Sequence, residues 1–348
     1  MGYSSVILGH ADSRVVQAAC NAAQNGSHTA LPSPTEVLLA ERLCHLIPCA
    51  QMVRFTKTGS EANSLALGLA QTYTGRSRAA LCGYLGWHDC LQAPCSKGLT
   101  HAFPYNDLAS LEEILLRHEG EFAAIFMEPV RYEAPEIGYL EAVRKLAAKH
   151  GALLIFDELG SGFQFGLGGA QKAFGVMPDL ATFGKGLANG FPLACVLGKV
   201  EIMSALAKCD FDSGFAGETC ALAAALEVLD ILETSDAIER IQEAGAQILE
   251  GFNQASKSFD LYDRFRCVGF PGRQRIQTFD DQGNSGDIEM RLLRQETARR
   301  GLFVLGGHNL SAAHDIEAVA EVLAVYEDVF ETLADWLSTP EPHKFLAQ

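Results

Sequence analysis

Short apolar runs alternate with longer amphipathic segments through the middle of the chain. The apolar runs predict β-strands at Ala79–Cys82, Ala123–Met127, Ala152–Phe156, Leu180–Phe183 and Leu193–Leu197. The segments between them predict helices at Glu61–Thr74, Asp107–His118 and Tyr139–His150. Strands that are apolar throughout and separated by helices indicate a parallel sheet covered on both faces, which is an α/β fold. Such sheets place ligands at the carboxyl ends of their strands.

The pattern changes after about residue 221, where helical periodicity dominates. It predicts helices at Ala221–Glu233, Asp236–Ser256, Gly286–Arg300 and Ala312–Leu337, and one short strand at Leu302–Leu305. This mixture predicts a smaller α+β domain at the C-terminal end. We therefore expect a large domain over residues 33–234, a small domain over 235–348 and a separate N-terminal segment over 1–32.

The charge and cysteine content narrow the class of protein. The 348 residues include 27 Lys or Arg and 43 Asp or Glu, a formal net charge of −16, which argues against nucleic-acid or anionic-membrane partners. None of the 10 cysteines has C-x-x-C spacing, so the sequence does not predict a metal site. No apolar run approaches the roughly 18 residues of a membrane helix, and no secretory signal is visible, so we expect a cytoplasmic protein.

A first candidate site lies in the segment Thr56–Asn63, just before a predicted helix. Gly59 allows a tight turn, and Thr58 and Ser60 supply hydroxyl groups. The N-terminus of a helix offers unpaired N–H groups and a positive dipole end, which suit a phosphate. The alternative is that Ser60 is an ordinary N-cap.

A second candidate follows the strand Ala79–Cys82. Trp87 could stack on a flat ring, and His88 could act as a base or contact a substrate. The alternative is a half-buried loop aromatic beside a turn histidine.

A third candidate follows the strand Ala152–Phe156, where Asp157 and Glu158 stand together. Two carboxylates at the end of a buried strand are costly unless they have partners. Asp157 is well placed to pair with a buried cation, either a metal ion or a protonated ring nitrogen. The alternative is a loop acid or a helix cap.

A fourth candidate is Lys185, which lies between Gly184 and Gly186 after another apolar strand. We expect a lysine in this setting to be desolvated, which lowers its pKa and frees the amine to attack carbonyl groups. The alternative is a surface lysine.

The four candidates fit one ligand when they are taken together. A phosphate site, a stacking aromatic, a buried acid and a reactive lysine all fall at strand ends of one predicted sheet. A cofactor with a phosphate, a flat ring, a ring nitrogen and an aldehyde would use all four. The sequence therefore predicts pyridoxal 5′-phosphate.

Six further segments are informative when they are taken together: Phe55–Asn63, Gly75–Asp89, Met127–Pro129, Leu154–Gln164, Gly168–Gly190 and Gly217–Leu229. They resemble the class III aminotransferases of fold type I, in particular the branch around glutamate-1-semialdehyde aminomutase. The similarity extends from Leu8 to about Tyr326 and covers most of the chain. It implies a large domain with a mainly parallel, seven-stranded type of sheet and a smaller α+β domain.

The resemblance also implies roles for the two residues expected to be catalytic. Lys185 would form a Schiff base with the cofactor and shuttle protons. Asp157 would keep the pyridine nitrogen protonated, so that the ring accepts electrons from the substrate α-carbon.

Further residues would bind the cofactor by the same resemblance. Gly59 and Ser60, beside Thr58, would bind the phosphate. Trp87 would cover one face of the ring and Leu159 the other, and Glu128 and His88 would line the pocket.

The family forms dimers with active sites at the subunit interface, so we expect a homodimer. A threonine that usually reaches the phosphate from the partner subunit aligns with Gly214, beside Ser213. Relatives carry more residues before the segment at Leu8, so the resemblance implies a shortened N-terminus.

The resemblance favours an aminotransferase that moves an amino group from a small-molecule donor to a carbonyl acceptor. Glu133 stands where the aminomutase has an asparagine, which argues against a true aminomutase. The alternatives are a 2,1-aminomutase, an amino-acid racemase, or a truncated homologue with impaired catalysis.

Overall fold

The computed structural model describes residues 2–29, 31–92, 95–209, 211 and 213–347. Their contacts divide the chain into two compact units, Gly2–Ser235 and the residues from Asp236 onward. The predicted N-terminal segment 1–32 and small domain 235–348 include residues 1, 30 and 348, which lie outside the described residues. The division into three parts stays a prediction.

A seven-stranded sheet forms the centre of the first unit. Its strands are β1 (Met52–Thr56), β2 (Arg78–Cys82), β3 (Thr100–Ala102), β4 (Phe122–Met127), β5 (Leu153–Asp157), β6 (Leu180–Phe183) and β7 (Ala194–Gly198). They lie in the order β1-β7-β6-β5-β4-β2-β3. All five predicted strands are present, and every residue of β4, β5 and β6 is buried. The predicted α/β class with a mainly parallel sheet is confirmed.

Strand β7 departs from the predicted parallel arrangement. It pairs antiparallel with both β6 and β1, whereas the other pairs in the sheet are parallel. Only residues 184–193 connect β6 to β7. A parallel crossover needs a dozen or more residues, so this connection is too short to return the chain to the other end of the sheet.

Helices surround this sheet in the first unit. They are α1 (Ser13–Gln24), α2 (Pro34–Leu46), α3 (Gly59–Thr74), α4 (Leu108–Arg117), α5 (Tyr139–His150), α6 (Gly169–Ala173), α7 (Val200–Met203) and α8 (Thr219–Thr234). Glycine ends α3 at Gly75 and α5 at Gly151, each with a positive φ that suits a left-handed C-cap.

The core of this unit lies between α3 and the sheet. The buried face of the helix presents Ala62, Leu65, Ala66 and Leu69, which belong to one apolar cluster with residues of β2 and β4. Burial of that face fixes α3 against the sheet, because apolar area removed from water contributes roughly 25 cal/mol per Å². The N-terminus of α3 is thereby held at the carboxyl ends of the parallel strands.

In its described residues, the second unit contains three α-helices and a hairpin. These are α9 (Ala237–Ser258), β8 (Phe265–Phe270), β9 (Arg273–Thr278), α10 (Asp287–Arg299) and α11 (Ile316–Leu337). The predicted helices are present, although α11 begins at Ile316 because Asp315 caps its N-terminus. The antiparallel hairpin β8–β9 was not predicted, because neither strand shows a regular alternation of apolar and polar residues and Ile276 is the one apolar residue of β9.

The predicted strand Leu302–Leu305 is wrong. The segment has no strand structure, and Phe303 and Leu305 are exposed. Strand β9 instead forms hydrogen bonds with the residues that follow Leu305. The amide of Ile276 donates to Gly306 O at 2.9 Å, and the amide of Gln274 donates to His308 O at 3.1 Å. Those carbonyls occupy the edge that a strand at Leu302–Leu305 would have needed.

Candidate active site

The first turn of α3 lies at the carboxyl end of the parallel strands. Thr58 is the N-cap, not Ser60: its side chain accepts from the amide of Glu61, and the Glu61 carboxylate accepts from the amide of Thr58. This capping box places Gly59 and Ser60 at the first two helical positions. Amides at these positions have no partner within a helix, so they are available to an anion.

Glycines allow close approach around this turn. A Cβ on Gly59 would lie 2.5 Å from Leu159 Cδ1, and one on Gly86 would lie 2.6 Å from Ser60 Oγ. Ser60 Oγ also accepts a hydrogen bond from the amide of Trp87 at 3.3 Å. The loop after β2, the end of β5 and the start of α3 therefore converge on one place.

Asp157 is the last residue of β5 and is almost completely buried. Its Oδ1 accepts from the amide of Leu159 at 2.9 Å, and its Oδ2 accepts from Asn63 Nδ2 at 2.7 Å. Burial is the main cause that raises the pKa of Asp157 to about 6, and the charge of Glu128 adds to it. The two hydrogen bonds and the charge of Lys185 act in the opposite direction. Asp157 thus carries a buried carboxylate with two hydrogen-bond donors and a cation nearby, and its pairing with a metal ion or a protonated ring nitrogen stays a prediction.

Glu158 has different partners from Asp157. Its carboxylate accepts from the amides of Ala170 (2.6 Å) and Gln171 (3.1 Å), and also from the side chains of Gln171 (3.2 Å) and Ser161 (3.1 Å). Burial raises the pKa of Glu158 to about 7 against these hydrogen bonds. Its donors come from the start of α6 and the loop before it, so the carboxylate joins these segments to the end of β5.

Lys185 begins a single 3₁₀ turn, Lys185–Ala188, directly after β6. It has a positive φ of 49°, a region that non-glycine residues rarely adopt. Its side chain is exposed, so the predicted desolvation is not found. The neighbouring Gly184 and Gly186 are buried and have no side chains that could cover the lysine. Thr182, three residues before Lys185, nevertheless pairs with Asp157 across β5 and β6, so the charge of Lys185 acts on Asp157 and lowers its pKa.

The turn that carries Lys185 is held by Asn189 and the N-terminal residues. Asn189 Oδ1 accepts from the amide of Leu8 at 2.9 Å, and its Nδ2 donates to Gly9 O at 3.0 Å. A Cβ on Gly186 would lie 3.3 Å from Ile7 Cβ. The segment at Leu8 therefore packs directly on the backbone of the lysine turn.

Trp87 and His88 lie on the loop after β2. The Trp87 side chain is 68% exposed, and its ring meets that of His88 edge-on with centroids 4.8 Å apart. His88 Nδ1 shares a hydrogen bond of 2.8 Å with Ser64 Oγ on α3. The indole is thus free to cover a flat ligand, while His88 is held against α3.

Glu128 follows β4 and supports the same loop. It is buried, and its Oε1 accepts from the amide of Tyr84 at 3.0 Å. Arg131 Nε lies 3.7 Å from that oxygen. A Cβ on Gly83 would lie 2.5 Å from it, so only glycine fits beside this carboxylate. Glu128 therefore shapes the loop after β2, in addition to any contact with a ligand.

Leu159 is partly buried and packs between two glycines. It lies 2.5 Å from the Cβ position of Gly59 and 2.8 Å from that of Gly184. Its side chain thus contacts both the start of α3 and the residue before Lys185.

Ser213 and Gly214 lie in the loop before α8. Ser213 O accepts from the amide of Ala216 at 2.8 Å, and Gly214 is exposed with open space where its Cβ would be. This position is open to a neighbouring molecule. A contribution to a partner's site stays a prediction.

Asn63 and Thr182 were missed as site residues. Both are fully buried, and Thr182 Oγ1 donates to Asn63 Oδ1 at 2.7 Å. Thr182 pairs with Asp157 across β5 and β6. The one available signal was a polar residue on the apolar face of a predicted helix, three positions after Ser60.

The site has the groups for binding an anion and moving a proton. The backbone amides of Gly59 and Ser60 can bind an anion. The amine of Lys185 and the buried carboxylate of Asp157 are the groups that can move or hold a proton. The described residues hold no group of three or more His, Cys, Asp or Glu arranged for a metal ion. None of the helices described is long and apolar enough to cross a membrane.

Known proteins resemble the chain in sequence. The family model "Aminotransferase class-III" matches residues 92–310. The chain is 39% identical to a 3-aminobutyryl-CoA aminotransferase of Cloacimonas acidaminovorans over 70% of its own length and 62% of that relative, so it aligns with less than two thirds of this protein. It is 32% identical to a glutamate-1-semialdehyde 2,1-aminomutase of Polynucleobacter necessarius over 96% of its own length and 86% of that relative.

A solved structure resembles the chain in fold. The FumI protein of Sphingopyxis sp. MTA144, in its PLP internal aldimine form, superimposes with a TM-score of 0.88. The match has 26% sequence identity and covers 99% of this chain and 86% of the other.

Proposed function

This chain belongs to the class III aminotransferase family, and on that premise we propose that it is a pyridoxal 5′-phosphate-dependent aminotransferase. Its fold type I architecture was predicted from the sequence and is confirmed. The reaction would convert an amino donor to a carbonyl compound and a carbonyl acceptor to an amine. The observation that carries the proposal is that Lys185, Asp157 and the first turn of α3 converge at the carboxyl ends of the strands.

The residues present fit the cofactor. The amides of Gly59 and Ser60, with the Ser60 hydroxyl, would hold the phosphate, because glycine leaves room there for close approach. Asp157 accepts hydrogen bonds on both oxygens, so its carboxylate suits a protonated ring nitrogen. Pyridoxal 5′-phosphate supplies an aldehyde that binds amines and a ring that accepts electrons from the substrate α-carbon.

Each remaining residue has a role that follows from its place. Lys185 Nζ would bind the cofactor and move a proton at the substrate α-carbon. Trp87 and Leu159 would cover the two faces of the ring and exclude water. Glu128 and His88 would line the pocket and hold the loop that carries Trp87.

We propose further that the enzyme is a cytoplasmic homodimer whose sites lie at the subunit interface. Ser213 and Gly214, in an open loop, would approach the phosphate in the partner's site. The substrates would be a small amino donor and a small carbonyl acceptor. The formal net charge of −16 argues against a nucleic-acid partner.

A 2,1-aminomutase is the second candidate, because a relative of that name aligns with 96% of the chain. An aminomutase would isomerise its substrate without a separate acceptor. A racemase would also need no acceptor, and an impaired homologue would bind the cofactor without turnover.

The cofactor assignment is tested by absorbance. The purified chain incubated with pyridoxal 5′-phosphate should show a protein-bound visible band, which Lys185→Ala should abolish. Lys172→Ala, at an exposed lysine on α6, is the matched control and should keep the band. A wild-type protein that takes up no cofactor would refute the proposal.

The reaction type is tested by adding one substrate at a time. A panel of amino donors, added without acceptor, should give a single stoichiometric turnover that converts the cofactor to its amine form. Catalytic isomerisation or racemisation without an acceptor would exclude the aminotransferase. A bound cofactor that no donor alters would indicate an impaired homologue.

A further inference from the structure

Asn63 is a fully buried polar residue on the second turn of α3. The first turn of the same helix presents Gly59 and Ser60 at the strand ends. Asn63 lies three residues after Ser60, so both face the same side of the helix. An uncharged amide in this position must satisfy its donors and its acceptor or destabilise the core.

The hydrogen bonds of Asn63 define the orientation of its amide. Nδ2 donates to Leu85 O and to Asp157 Oδ2, each at 2.7 Å, and Oδ1 accepts from Thr182 Oγ1 at 2.7 Å. The carbonyl of Leu85 can only accept, so Nδ2 must face it. The group that meets Asp157 is therefore a donor.

Asp157 consequently accepts an N–H on each oxygen. The second donor is the amide of Leu159, at 2.9 Å from Oδ1. Two other charged groups act on this carboxylate: Glu128 from the end of β4 disfavours its ionised form, and Lys185 after β6 favours it. The donors oppose burial directly, because hydrogen bonds to a carboxylate stabilise the charged form.

We propose that Asn63 is a positioning residue that keeps Asp157 ionised and oriented, and that Thr182 aligns the Asn63 amide for this purpose. The inference rests on the proposed function in one respect: the group that Asp157 faces would be the protonated ring nitrogen of the cofactor. The effect of Asn63 on the ionisation of Asp157 belongs to the chain itself and can be measured without cofactor.

The measurement is a pH titration of Asp157 in the full chain by infrared difference spectroscopy. The spectrum of Asp157→Asn, subtracted from that of wild type, isolates the Asp157 carboxyl band. The same subtraction in an Asn63→Leu background gives the midpoint without the amide. We expect that midpoint to lie about one to two pH units above the midpoint of the wild type. A shift of this size corresponds to the free energy of one hydrogen bond to a charged group.

Two variants separate positioning from simple loss of structure. Asn253→Leu removes an asparagine that bonds to the backbone of Cys267 in the second unit, and it should leave the midpoint unchanged. Thr182→Val removes only the donor to Asn63 Oδ1 and should raise the midpoint by a smaller amount. If Asn63→Leu does not fold, Thr182→Val decides the question.

An unchanged midpoint in folded Asn63→Leu, or in Thr182→Val where that variant decides, would overturn the inference. A raised midpoint in Asn253→Leu would overturn it as well, since the effect would then not be specific to this amide. A wild-type chain that takes up no pyridoxal 5′-phosphate would refute the proposed function, while the titration would still report on Asn63. If both hold, cofactor affinity in Asn63→Leu should fall more steeply below neutral pH than in wild type.

Discussion

Asp157 and Glu158 are adjacent in the chain and both are buried, but they face different parts of the first unit. Successive side chains at a strand end point to opposite faces of the sheet. Asp157 meets Asn63 on α3, whereas Glu158 meets the start of α6 and Ser161. Two adjacent residues thus place the same chemical group, a carboxylate, in two different surroundings.

The two carboxylates differ in how many hydrogen bonds they accept from the protein. Within the part of the chain that the structure describes, Glu158 accepts four hydrogen bonds from groups in residues 161–171. Asp157 accepts two from the same described residues, and Lys185 supplies a favourable charge from the end of the next strand. A carboxylate saturated by its own chain stabilises the fold. One that keeps lone pairs beside a cation can bind a charged ligand.

The largest expected effect is on folding, through Glu158. In Glu158→Leu the amides of Ala170 and Gln171 lose their acceptor inside the protein. An unsatisfied buried donor costs about 1–3 kcal/mol, so the free energy of unfolding should fall by about 3 kcal/mol or more. Urea unfolding measures this, with Glu133→Leu as the control at an exposed glutamate. A loss below about 1 kcal/mol would contradict the structural role.

The next effect is on ligand binding, through Asp157. Asp157→Asn should lower the affinity for pyridoxal 5′-phosphate by about 10- to 100-fold, the value of one charge-assisted hydrogen bond. The free energy of unfolding should change by at most about 1 kcal/mol, because loss of a buried charge offsets a mismatch with the Asn63 amide.

A spectroscopic titration with cofactor measures the affinity of Asp157→Asn. Glu158→Gln, in the same titration, should bind with nearly wild-type affinity. If both variants lost affinity equally, the distinction between the two carboxylates would be wrong.

Much of the sheet was predictable because its strands are buried on both faces. The apolar run at Ala123–Met127 lies within β4, and the helix Tyr139–His150 was predicted with its observed bounds. Strand β1 was missed because Arg54 interrupts its apolar pattern and three of its five residues are only half-buried. A strand that is buried on both faces can be predicted from its unbroken apolar run, whereas a half-buried strand such as β1 gives a weaker sequence pattern.

The candidate site was predictable where a residue type is unusual for its position. Lys185 between glycines and two acids after a buried strand are such cases. Asn63 gave one weak signal and Thr182 gave none, because a single amide or hydroxyl in an apolar segment has no visible partner until the strands are placed side by side. The sequence singled out Asp157 but gave Glu158 no role, since the partners of Glu158 become visible only when α6 is placed beside the end of β5.

Glu158 and Asp157 also differ in the pH range over which each one changes the free energy of unfolding. The pKa of Glu158 is raised to about 7 from an ordinary 4.5, so between these values the folded state holds a proton that the unfolded state has lost. The contribution to stability is therefore complete below about pH 4.5 and is lost as pH rises to about 7.

We expect Glu158→Gln to flatten the decline of unfolding free energy over this range by up to about 1.4 kcal/mol per pH unit. Urea unfolding at several pH values, without added cofactor, measures the slope. Asp157→Asn should flatten the curve over a narrower range that ends near pH 6, because the pKa of Asp157 is raised only to about 6. Identical curves for wild type and both variants would contradict the burial of these charges.

The smallest effect tests whether the partners of Glu158 act one by one. Ser161→Ala removes one of its four donors, at 3.1 Å, and leaves the three from α6 in place. We expect a loss of about 1 kcal/mol in the free energy of unfolding at pH 8, where Glu158 is ionised. The hydroxyl lowers the pKa of Glu158, so its removal should also move the decline of stability to higher pH. Cofactor affinity should not change, since Ser161 bonds to the carboxylate on the α6 side. A fall in affinity as large as that of Asp157→Asn would mean that the two carboxylates act as one unit.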